Sequence, residues 1–247
     1  MTALLKLPRF AGYAILELLR QPTYVLTTLI FPSMFFWFFG VPNAQDPDSA
    51  RMLMGSFAAF AVLGVVLFQL TVAVAQDRAG HWSLYLRSLP VPSWVFLAAQ
   101  IVASFVLALM AVGLVVVTAL LATEPQMSLR QFLEFFAWVM LCGFPFASLG
   151  LVLGSLTDPK SAVPVGNLVY LPLSFAGGLW IPPNALSAGV QTISEYLPTR
   201  FYGEVIWALV RGETPNERWI YGLLAYSVVF FAAAIYLHRR DLGARFG

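Results

Sequence analysis

With 247 residues, 60% of them hydrophobic and only 11% charged, the chain departs from soluble domains, in which roughly a quarter of residues carry charge. The apolar residues fall in long runs, so the class is a multi-pass, all-α membrane protein rather than a soluble domain with a large core. The formal net charge of +2 is too small to imply a nucleic-acid partner, and the single cysteine, Cys142, excludes an internal disulfide.

Residues 3–20 predict an amphipathic helix. At about 100° per residue, Lys6, Arg9, Tyr13, Glu17 and Arg20 share one arc, with Leu4, Leu7, Ala11, Ala14, Ile15 and Leu18 largely elsewhere. Such a helix lies in the membrane interface, its basic groups near lipid phosphates. The same charges interrupt the early apolar positions, and no cleavable signal peptide is expected.

Six membrane spans follow, at about residues 23–40, 52–75, 93–122, 131–154, 162–180 and 219–237. Pro32 is expected to kink the first, because proline brings no N–H to the helix ladder. The fourth carries Gly143, Ala147, Gly150 and Gly154 as one small-residue stripe, suited to close helix packing within the chain. Residues 184–211 hold apolar stretches too short to cross, punctuated by proline, and predict short re-entrant or interfacial helices. Trp94, Trp180, Trp207 and Trp219 sit near predicted span ends, where aromatic belts form.

Six spans place both termini on one side. That side holds Lys6, Arg9, Arg20, Arg78, Arg87, Lys160, Arg239, Arg240 and Arg245, against Arg51, Arg130, Arg200, Arg211 and Arg218 on the other. Lysine and arginine bias sets orientation, so both termini are expected in the cytoplasm.

Residues 76–92, between the second and third spans, then fall on the cytoplasmic side. The segment mixes Asp77, Arg78 and Arg87 with Trp82, Tyr85, Leu86 and Leu89, more large apolar groups than a solvated loop needs. A surface helix over residues 77–89 is expected, with one face in the headgroups and another on a partner. Asp77, Arg78, Trp82, Tyr85, Leu86 and Arg87 are its candidate contact residues, since aromatic and arginine side chains dominate interface hot spots.

Three segments resemble the permease subunit of type-2 ABC exporters, in the drug or lipid branch, and together the resemblance covers nearly the whole chain. Residues 19–40, LRQPTYVLTTLIFPSMFFWFFG, are similar in the Arg-x-Pro start and the proline within the first span. Residues 76–100 match at Asp77, Arg78, Gly80, Leu84, Leu86, Pro90 and Val91, with His81 and Trp82 standing where the family more often has Thr and Leu. Residues 175–212 match at Gly178, Pro182, Leu197, Pro198 and Tyr202, with Gly177 added and Pro183 doubling the proline.

The resemblance implies a permease dimer, with a second copy of the chain preferred over a different permease. It implies two cytosolic ABC ATPase subunits coupled through residues 77–89, and an outer gate of re-entrant helices holding Gly178, Pro182, Pro183, Pro198 and Tyr202. It also implies export across the cytoplasmic (inner) membrane. The sequence has no G-x-x-x-x-G-K-[ST] loop, so ATP and magnesium belong to the partner ATPase, and no cofactor, metal site or catalytic residue is expected in this chain.

Gln69, Gln100 and Asn167 are the polar residues at membrane depth, either on a substrate path or in interhelical hydrogen bonds. Phe31, Phe35, Phe36, Phe38 and Phe39 suit an apolar path or lipid packing equally. The absence of mid-membrane charge favours an apolar or amphipathic cargo, drug-like or lipid-like. Two rival readings remain: an assembly or immunity module on the same scaffold, and an intramembrane enzyme. Against the enzyme, His81 and His238 are the only histidines and no catalytic motif appears.

Overall fold

The computed structural model describes residues 2–80 and 91–244, and the regular structure among them is helical. The helices are α1 (Thr2–Leu19), α2 (Pro22–Phe35), α3 (Pro47–Ala79), α4 (Ser93–Ala122) and α5 (Leu129–Leu141), followed by α6 (Phe144–Leu156), α7 (Ala162–Ala176), α8 (Ala188–Ser194), α9 (Pro198–Val210) and α10 (Glu217–Ala244).

The centre of the bundle is α3. The Asp46 carboxylate starts it by accepting from the Asp48 and Ser49 amides, while the Ser49 hydroxyl accepts from the Asp46 N–H. At 33 residues it rises about 50 Å, well beyond the ~30 Å of hydrocarbon, so the second apolar run forms a longer rod than residues 52–75. Phe57, Phe60, Leu63, Leu67 and Leu70 are fully buried on it. A membrane helix so enclosed must be apolar all round, which is why its sequence shows almost no amphipathic pattern.

Around this post pack α4, α6, α7 and α9. The small-residue stripe acts as expected. A Cβ added at Gly150 would lie 2.8 Å from the Leu67 carbonyl oxygen, and one at Gly154 2.7 Å from that of Thr71, so α6 approaches the backbone of α3. Thr71 Oγ1 bridges the contact, donating to the Leu67 carbonyl at 2.7 Å and lying 3.3 Å from that of Gly150. On the far side α1 lays Ala11, Ala14 and Leu18 against Ala99 and Ala103 of α4, and Phe10 meets Phe96 edge-on at 4.9 Å. The charged arc of α1 is thus turned away from α4.

Five stretches are long and apolar enough to cross a membrane: Pro22–Asn43, Pro47–Ala79, Trp94–Ala122, Leu129–Leu156 and Glu217–Asp241. The helix at the expected fifth crossing, α7, has only 15 residues, short of the ~20 that a full crossing takes. It stops before Trp180 because Gly177 and Gly178 turn the chain, and Gly178 has a φ of +82°, open to glycine at little cost.

Two other expected spans are irregular. The first continues from α2 through a widened π turn, Phe36–Gly40, and one tight turn, Val41–Asn43, downstream of Pro32. The fourth breaks at Cys142 and Gly143 into α5 and α6, where Pro145 cannot supply an N–H to a continuous ladder.

Candidate functional site

The described part of the expected coupling helix, Asp77 to Ala79, is the last turn of α3; Gly80 then leaves in an extended conformation. Trp82, Tyr85, Leu86 and Arg87 lie outside the described residues. Asp77 is exposed, whereas Arg78 folds inward as a half-buried tie. Its guanidinium pairs with the Asp241 carboxylate of α10 and donates through one terminal nitrogen to the Gly154 and Thr157 carbonyls, each at 3.3 Å. One side chain therefore joins the ends of α3, α6 and α10 directly before residues 81–90.

The next turn is also fixed. The Ser161 hydroxyl donates to the Asp158 carboxylate at 2.8 Å, and the Ser161 and Lys160 amides at 2.9 Å each. Those bonds, the Ser161 hydroxyl first, hold the Asp158 carboxyl below the ordinary aspartate range.

The residues expected at an outer gate separate into two groups. Gly178, Pro182 and Pro183 line a cavity of about 420 Å³ together with Phe39, Trp180 and Trp207. The Trp207 indole N–H donates to Ser56 Oγ at 2.7 Å, while that of Trp180 is buried with no acceptor among the described residues. Pro198 and Tyr202 lie elsewhere, buried on α9. Tyr202 is held by the break between α5 and α6. There the Gly143 N–H bonds to the Met140 carbonyl instead of reaching back four residues, and the freed Val139 carbonyl accepts the Tyr202 hydroxyl at 2.6 Å. This is how a membrane helix tolerates a break: a neighbour satisfies the released backbone group.

Gln69, Gln100 and Asn167 do not converge. Gln69 is buried and accepts from the Tyr24 hydroxyl at 2.7 Å, Gln100 is half-buried on α4, and Asn167 is exposed on α7. The phenylalanines of the first span divide as well. Phe36 is fully buried, Phe31 and Phe35 are half-buried, and Phe38 and Phe39 are more than half exposed. Phe35 belongs to an aromatic series through Phe60, at 5.7 Å between ring centroids, and Tyr170, at 4.9 Å from Phe60, to Phe68 at a further 5.4 Å.

Trp207 is a core residue rather than part of an aromatic belt, being 3% exposed. Arg200 pairs with Glu204 within α9 at 2.6 Å, so neither reaches across to Glu195. Asp241 was missed in the sequence, where it stands as one acid in a basic tail; its position three residues after His238 and two after Arg239 gives no sign of a partner 163 positions away.

A bundle of long apolar helices around a buried post, with short helices returning into it, defines a multi-pass membrane protein. The family model for the ABC-2 type transporter matches residues 11–210, and the chain belongs to that family. It is 28% identical over 230 residues to the protein of Bacillus subtilis (strain 168) described as "Putative transport permease YvfS", which spans 91% of this chain and 94% of that protein. The chain is accordingly a transport permease, and its family implies partnership with an ABC ATPase.

Proposed function

We propose that this chain is the membrane subunit of an ATP-driven exporter of apolar or amphipathic molecules, working by alternating access. Two cytosolic ATPases bind ATP and magnesium and close on residues 77–89, and a second copy of the chain completes the pathway across the cytoplasmic membrane. The α7 helix makes the fifth of six crossings, and both termini are cytoplasmic. The α1 helix lies in the inner interface, and α8 and α9 form the outer gate.

The observation that carries this reading is the Arg78 tie. A push on residues 77–89 falls on the end of α3, and through Arg78 it reaches α6 and α10 together. A helix buried through its middle then transmits the displacement to Trp207 and the outer cavity through Ser56.

The test replaces Leu86 by Asp. Purification in mild detergent should then recover the permease without its ATPase, while the unaltered chain brings the ATPase down. Intact complexes with unchanged stimulated ATPase activity would refute the coupling role.

A further inference from the structure

Near the N-terminal end of α4 and the C-terminal end of α10, these two helices stand apart. Each packs elsewhere, α4 on α3 and α1, α10 on α6 and α9. Between them is a cleft of about 410 Å³, floored by Val74 of α3 and Leu151 of α6. Its length runs from Phe231 to Arg239 on α10, about 12 Å at the rise of an α-helix. The walls are apolar, with Ile101, Ala98 and Ile235 among them; Trp94, His238 and Arg239 stand at one end. Arg239 is exposed and makes no ion pair among the described residues, and Arg240 follows it. The tail therefore places cationic groups beyond an apolar slot at membrane depth.

We propose that this cleft binds one anionic phospholipid, with an acyl chain along the slot and its phosphate on Arg239. The proposal rests on the chain being membrane-spanning, not on which side its termini occupy. Three features select this occupant. The slot is long, narrow and apolar, as a single acyl chain requires. Basic pockets between spans recruit acidic headgroups. Trp94 lies at the same end as Arg239, the level where tryptophans mark the membrane–water boundary. The site is separate from the outer cavity, which lies at the other end of α3 and has no cation in its lining.

The experiment reconstitutes the full chain in phosphatidylcholine vesicles containing spin-labelled phosphatidylglycerol or phosphatidylcholine, and measures the motionally restricted lipid fraction. Both leaflets carry label, so the outcome does not depend on orientation. Phosphatidylglycerol should be favoured by about fivefold, the effect of one cationic side chain near the surface. Arg239→Gln should remove that preference, and Arg239→Lys should keep it. Ala98→Phe, which fills the slot, should lower the restricted fraction, phosphatidylglycerol more than phosphatidylcholine, with size-exclusion profile and melting temperature checking that the variant is folded. Equal preference in the unaltered chain and Arg239→Gln would overturn the proposal, as would an unchanged restricted fraction in Ala98→Phe. So would a cross-link between two copies through Ile235→Cys in a Cys142→Ser background, which would place protein in the cleft.

Discussion

The Arg78 tie shows how much one side chain depends on its setting. The pair with Asp241 is part-exposed, so its Coulomb attraction alone is modest, but the guanidinium also caps carbonyls at the end of α6. Replacing Arg78 by Ala strands the Asp241 carboxylate and leaves those carbonyls without their donor. A loss of about 1–3 kcal/mol is expected, read as thermal unfolding in detergent. Asp241→Asn should cost less, and the double variant should cost less than the sum, because the two residues share one interaction. Strict additivity would mean that the tie is not formed.

Tyr202 makes a second residue-scale case. Its hydroxyl satisfies a backbone carbonyl that the α5–α6 break releases. Tyr202→Phe keeps the ring packing against Phe146 but leaves the Val139 carbonyl unpaired in the core, at a cost of about 1–3 kcal/mol. Unchanged melting would show that the carbonyl finds another donor.

At the scale of elements, the contact between α3 and α6 is decided by the absence of side chains. A Cβ at Gly154 would press on the Thr71 carbonyl oxygen at 2.7 Å and on Val74 at 2.8 Å. Backbone on a buried helix cannot yield as a side-chain tip can, so Gly154→Ala must part the helices. The expected loss is about 1–3 kcal/mol in the same unfolding measurement. The spacing of four, three and four residues made this stripe legible in the sequence. The break at Cys142 was not. The apolar run continues through it, so hydropathy reads one span, although Gly143 and Pro145 stand at the break.

For the molecule as a whole, the number of crossings is set by how far α7 reaches through the membrane. The sequence reading expects six, while α7 is several residues short of a full span. Single cysteines in a Cys142→Ser background decide it. With six crossings, Lys160→Cys should be protected from an impermeant maleimide in intact cells, and Ser187→Cys should react. Equal labelling of both sites would mean that α7 enters and returns on one side. The same pair reads the orientation, because reversed reactivity would place the termini outside.

The sequence by itself determined the class, the long apolar runs, the α6 stripe and the family, because these are properties of composition, of short-range spacing and of motifs along the chain. Only the tertiary structure decided which residues meet. It placed Trp207 in the core, divided the residues expected at a gate between a cavity and α9, left Asn167 on the surface, and joined Arg78 to Asp241. In a membrane bundle nearly every face is apolar, so hydropathy does not distinguish lipid from a neighbouring helix. Partners are chosen by shape and by the few polar groups that must be satisfied, and those choices span distances in sequence that no local pattern records.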